Sequence, residues 1–219
     1  MVSFEDIKHD PSINTYITKA DATLGVQGFT EHGFAHVTTV CKKAEYILKS
    51  LKATPQEIEL AKIAAYMHDI GNLVNRKEHA QSGAIMAFRI LLSKGMNATD
   101  TATVVSAIGN HDEGTGVPVD NVAAAIILAD KSDVRRSRVR NRDITTFDIH
   151  DRVNYSVTES DLTVDAAKKE ITLELKIDTE IGSVMDYFEI FLERMILCRK
   201  AAETLGLRFR LRINGQSLM

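Results

Sequence analysis

"AAYMHDIGN", residues 64–72, ends an apolar helical pattern on a base beside a carboxylate. Ala64, Ala65 and Met67 read as a buried face, yet His68 and Asp69 follow at once, just before Gly71. Burying such a pair costs several kcal/mol unless something satisfies it. Upstream, "ATPQEIEL" marks where the helix begins. Thr54 stands as N-cap, Pro55 at the first helical position and Glu57 three residues after the cap, a capping box. A helix over about 55–70 is predicted to carry the pair.

The same period extends in both directions. From about residue 12 to 136 the apolar spacing is helical almost throughout. A helix over about 79–94 places Ala84, Ile85, Ala87, Phe88, Leu91 and Leu92 on its apolar side and stops near Gly95. Others are predicted over about 99–109 and, capped by Asp120, over about 121–136. Then the period changes. "VNYSV" at 153–157, "LTVD" at 162–165 and "ITLELKID" at 171–178 alternate apolar and polar residues and read as strands, antiparallel by hairpin logic. A long amphipathic helix over about 179–205 follows, and "LRFRLRI" at 207–213 returns to period two. The expected fold is mainly α, with a small C-terminal α+β appendage.

Composition narrows the function. With 44% apolar residues in 219, the chain can bury a core of its own. A net charge of -3, from 27 basic and 30 acidic residues, gives no global attraction to polyanions. Cys41 and Cys198 lie far apart in helical patterns and make no disulfide framework. No segment approaches 18 uninterrupted apolar residues, and the N-terminus has no basic run followed by an apolar one. A soluble protein of the reducing cytoplasm, without a membrane partner, is expected.

Five of the seven histidines fall in the helical half: His32, His36, His68, His79 and His111. His36, His68 and His111 lie beside apolar helical segments, where one histidine alone would read as a hydrogen-bonded core residue. Asp130 ends the apolar run "AAAIILAD", and a carboxylate near a helix C-terminus opposes the macrodipole. A divalent cation would account for His36, His68, Asp69 and Asp130 together, since mixed imidazole and carboxylate ligation suits Mn, Fe, Zn, Co or Ni, with Mg the poorer fit.

The ordered pattern His36, His68-Asp69, Asp130 resembles the HD superfamily of metal-dependent phosphohydrolases, and "MHDIGN", "HAQSGA", "IGNHDE" and "LADKSDVRRSR" resemble its segments over about residues 30–140. The resemblance implies an HD-type domain over 1–148, with 149–219 as the appendage. It implies one metal on the residues matching His36, His68, Asp69 and Asp130. His79 and His111 occupy the places of the extra histidines of two-metal members, which implies a dinuclear centre bridged by Asp69. Hydrolysis of a small phosphate ester, a nucleotide first among them, is the expected reaction. His68 and Asp69 would then act through metal, and Lys131, next to Asp130, could bind the phosphate as a point charge. Since the two residues of the doublet lie roughly 100° apart on a helix, they can share an ion only at its end, where Gly71 would let the chain turn away.

"DVRRSRVRNRD", 133–143, holds Arg135, Arg136, Arg138, Arg140 and Arg142. These could grip phosphates, or nucleic acid, or form a solvated helix end; scarce aromatics argue against base stacking. Arg135 and Arg138, nearest the proposed site, are candidates for substrate binding, and His32 is a candidate pocket residue. The rival from another class is a non-catalytic module that binds metal or nucleotide and dimerises through 150–219, where strand edges such as "ITLELKID" could pair between subunits.

Overall fold

The computed structural model describes residues 2–218. Two helices, α1 (Phe4–Lys8) and α2 (Pro11–Val26), lead into α3 (Phe34–Ser50) and α4 (Pro55–Met67). The Thr54 side chain accepts from the Glu57 N–H while the Glu57 carboxylate returns to the Thr54 N–H, so the capping box forms as its sequence requires. A 3₁₀ turn, Ile70–Leu73, separates α4 from α5 (His79–Ser93), and α6 (Ala98–Gly109) and α7 (Asn121–Lys131) complete the helical half.

Helix α7 is buried at every residue from Val122 to Lys131. Such a helix must be covered on all sides. Helices α3, α4 and α6 pack against it from the first half and α9 (Val184–Thr204) from the second. Asp130 and Lys131 ride into the interior on its last turn. The expected helix over 121–136 stops at Lys131 instead, because the next residues form a buried corner: Lys43 Nζ donates to the Ser132 carbonyl, and Arg138 Nη1 to that of Asp133.

After α7 come two 3₁₀ turns, Arg136–Arg138 and Ile144–Thr146, and then α8 (Ile149–Ser156). This helix replaces the strand expected at 153–157. A run as short as "VNYSV" fits either period; Asp148, which caps by accepting from the Asp151 N–H, decides it. The strands β1 (Val157–Asp165), β2 (Glu170–Ile177), β3 (Arg208–Ile213) and β4 (Gln216–Ser217) form one sheet in that order. Thus "LTVD" continues a single strand from Val157. β1 and β2 pair antiparallel, whereas β2 and β3 are parallel, Glu170 opposite Arg208 through Leu175 opposite Ile213, joined by the crossover helix α9. Hairpin logic fails there because the 30 residues from 178 to 207, α9 and its flanking turns, carry the chain back to the starting edge. "ITLELKID" is therefore an inner strand, paired on both sides, and offers no edge to a second subunit.

The apolar face expected on α5 is narrower than the sequence implied. Ala80, Gly83, Ala84, Ala87 and Leu91 are buried, whereas Ile85, Phe88 and Leu92 face solvent. One hydrophobic core runs from α1 to β3, and the Ser160 hydroxyl, donating to the Ser132 carbonyl at 2.6 Å, ties β1 to the end of α7.

Candidate metal centre

α4 ends at Met67, so His68 and Asp69 stand just past its last turn, both buried. Gly71 is needed here for a reason other than the turn expected of it. Its φ is not in the left-handed region, but a Cβ on it would lie 2.0 Å from the His79 carbonyl oxygen and 2.4 Å from the Gly83 nitrogen. The missing side chain lets the first turn of α5 press against the 3₁₀ turn, carrying His79 to the doublet.

The two oxygens of Asp69 divide the site. Oδ2 faces His68 Nε2 at 3.2 Å and His36 Nε2 at 3.6 Å, and Asp130 Oδ1 closes this group at 3.2 Å from His36 Nε2. Oδ1 faces His79 Nε2 at 3.4 Å and His111 Nε2 at 3.8 Å. Among the described residues, His36, His68 and Asp130 make one group able to hold a metal ion, and His68, Asp69 and His111 another. The structure thus brings together all six residues singled out as ligands.

Each ring is held by its other nitrogen. His36 Nδ1 meets Asp133 Oδ2 at 2.8 Å, and Nδ1 of His68, His79 and His111 meets the carbonyl of Ala65, Arg76 and Ile108 at 2.8, 3.0 and 2.7 Å. These acceptors assign the ring proton to Nδ1 and leave Nε2 a lone pair. Two such lone pairs face one another at 3.3 Å between His36 and His68, and again at 3.2 Å between His79 and His111. Burial lowers the His79 pKa, with His111 and Arg76 adding to it against Asp69, to about 4, so that ring is neutral near pH 7. Facing lone pairs repel; a cation between them turns the repulsion into ligation. The donor set fits a divalent transition metal. Arg76 Nη1, 3.4 Å from His79 Nε2, is a long and partial substitute.

The charges around the centre are locked. Burial pushes the Asp130 carboxyl up, but Lys131 beside it outweighs burial and holds it well below the usual carboxylate range. Lys131 Nζ, itself buried, lies 2.8 Å from Asp130 Oδ2 and 2.5 Å from Glu113 Oε2; burial works against its charge and these carboxylates outweigh it.

A cavity of about 320 Å³ opens over the centre, walled by residues 27–30, Arg76, the first turns of α8, and Ile190, Phe191 and Arg194 of α9. Lys131, Arg138 and His32 line it. Arg135 does not: it is turned onto Asp133, with Nε 2.8 Å from Oδ1. The rest of the arginine run is largely spent on the protein itself, Arg136 on the Tyr155 carbonyl and Arg140 on Asp21, while Arg142 is exposed. Sequence reasoning missed Asp133, Arg76, Glu113 and Arg194. Of these only Asp133, three residues after Asp130 in "ADKSD", carried a local signal.

An HD domain matches residues 33–148, more than half of the chain and all six clustered residues. The chain belongs to the HD domain family. The family is of phosphohydrolase type, and HD domains are metal-dependent. This HD domain protein is also similar to an uncharacterized protein of Methanocaldococcus jannaschii, with 26% identity over 203 residues, covering 82% of this chain and 77% of that protein. A crystal structure of a predicted HD superfamily hydrolase from an uncultured Thermotogales bacterium is similar at 25% identity and a TM-score of 0.46, covering 58% of this chain and 69% of that one. No helix among the described residues is long and apolar enough to cross a membrane.

Proposed function

We propose that this protein is a metal-dependent phosphohydrolase that cleaves the phosphoester of a small substrate, a nucleotide first among the candidates. His36, His68, Asp69 and Asp130 would hold one divalent ion, and Asp69, His79 and His111 a second. The observation that carries this reading is the convergence of four histidine Nε2 atoms on the two oxygens of Asp69. Two such ions, when bound, acidify water to supply the nucleophile and draw charge from phosphoryl oxygens.

The chain's own residues supply the rest. Lys131 is placed to meet a phosphoryl oxygen as a point charge. Arg138 is buried at the cavity wall with Nε and Nη1 committed to the carbonyls of Glu31 and Asp133, which leaves Nη2 without a partner among the described residues and available to the same phosphate. His32, ring-on-edge against His36, lines the cavity beside the centre. Arg135 acts through Asp133, on which it fixes the carboxylate. Two free, buried thiols, Cys41 and Cys198, each pushed up by burial to about 12, support residence in a reducing cytoplasm.

The test is metal content per chain, by elemental mass spectrometry on protein purified without chelators, beside hydrolysis assays with Mn, Fe, Co, Ni or Zn. Two ions per chain, lost together with turnover in Asp69→Ala while the helical circular dichroism survives, is the expected result. An active Asp69→Ala free of metal would refute it.

A further inference from the structure

Helix α9 lies outside the HD domain, yet it builds one wall of the cavity with Ile190, Phe191 and Arg194. The Arg194 guanidinium carbon sits 4.1 Å from the centre of the Phe191 ring, well within cation–π distance. One edge is fixed as well: Nη2 and Nε lie 3.2 and 3.4 Å from Glu113 Oε1. Arg194 and Phe191 both line the cavity, so the guanidinium is held at the cavity wall from two sides, by a ring and by a carboxylate.

Its charge is already answered. Glu113 Oε1 lies 3.2 Å from Arg194 Nη2, so this guanidinium is a paired cation rather than a free one waiting for a second phosphate. Ile190 and Phe191 make the same wall apolar. A guanidinium plane with its charge compensated and an apolar surround is suited to stacking against a planar unsaturated ring. The Arg76 guanidinium carbon, 5.5 Å from the centre of the Phe29 ring, belongs to the lining of the same cavity. The volume of about 320 Å³ is at the small end for a ligand pocket, enough for one compact molecule and too small for a polymer.

We propose that Arg194, held against Phe191 and pinned by Glu113, is the specificity-determining platform for the planar ring of the substrate's organic part, which makes the substrate a ring-bearing phosphate ester of mononucleotide size. This rests on the phosphohydrolase reading above, but its test does not need turnover.

The experiment is isothermal titration calorimetry of the metal-loaded protein with phosphonate analogues of AMP, GMP, CMP and UMP, and with the phosphonate analogue of ribose phosphate, which lacks the ring. The P–C bond resists hydrolysis, so binding is read alone. Wild type should bind at least one ring-bearing analogue about tenfold tighter than the ribose analogue, the range of one base stacked on a side chain. Arg194→Ala and Arg194→Lys should both lose that preference and leave the ribose analogue within about twofold, because a lysine keeps the charge but not the plane. Wild-type affinity in Arg194→Lys would overturn the platform in favour of simple charge, and equal weakening of both ligand classes in both variants would overturn it in favour of a structural role. Absence of any ring preference in wild type would also overturn it. Ring preference without metal-dependent hydrolysis would sink the phosphohydrolase reading and leave this one standing; hydrolysis without ring preference would do the reverse.

Discussion

Asp133 Oδ2 lies 2.8 Å from His36 Nδ1, a contact between residues 97 apart in the chain and both almost wholly inaccessible to solvent. The carboxylate accepts the Nδ1 proton, so the other ring nitrogen is turned into the centre as a lone pair. Arg135 grips the same carboxylate from outside and Arg138 holds the Asp133 backbone carbonyl. Burial raises the Asp133 pKa, but His36 and the two arginines outweigh it and keep the group ionised far below the usual carboxylate range.

Replacing Asp133 with Asn should therefore weaken metal binding without removing a ligand. An amide can present its NH₂ to Nδ1 and favour the wrong tautomer of His36. Loss of such an outer partner typically costs about 10- to 100-fold in metal affinity. Competition with a chromophoric chelator would measure it; unchanged affinity would mean that His36 is oriented by packing alone.

Gly71→Ala should be more damaging than its size suggests. The new methyl would meet the His79 carbonyl oxygen and the Gly83 nitrogen, both backbone atoms, at distances no real contact shows. The 3₁₀ turn and α5 must separate, at a cost of about 3 kcal/mol, and His79 moves away with its turn. Thermal unfolding should show the destabilisation, and metal analysis should show one ion fewer per chain than wild type. Full metal content in a stable Gly71→Ala would contradict this account of the glycine.

The helices of the first half and the His-Asp doublet were legible because their signals are local. A capping box spans four residues, and "AAAIILAD" is apolar on every face because α7 is covered on every side. Parallel pairing of β3 with β2 and the α9 wall of the cavity were not legible. Arg194 meets Glu113 across 81 residues, and nothing near either one marks the contact. α8 was lost to a run too short to choose a period. On α5, periodicity assigned Ile85 and Phe88 to the core, but neighbouring elements cover only the stripe through Gly83 and Ala87.

That difference is measurable. Ile85→Ser should change stability by no more than about 0.5 kcal/mol, since the side chain faces water. Leu173→Ala, at a fully buried position of the inner strand β2, should cost about 2–5 kcal/mol. Chemical denaturation of the two variants checks both, and a large loss in Ile85→Ser would mean that this face of α5 is covered in solution.

Glu113 gives a pH signature with a definite sign. Burial pushes its carboxyl up, yet Lys131 and Arg194 outweigh that and hold it below its ordinary value of 4.5. The folded state therefore binds the proton less readily than the unfolded chain. The stabilisation is fully present above about pH 4.5 and is lost as pH falls through the folded-state value. Glu113→Gln removes one partner from a largely buried network and should cost about 3 kcal/mol at neutral pH. Because the amide does not titrate, the gap in Tm between wild type and Glu113→Gln should narrow on acidification from about pH 5 to pH 3. Differential scanning calorimetry across that range measures it directly. A gap independent of pH would mean that Glu113 contributes by shape and not by charge, and would remove the reason to regard Lys131 and Arg194 as one electrostatic unit.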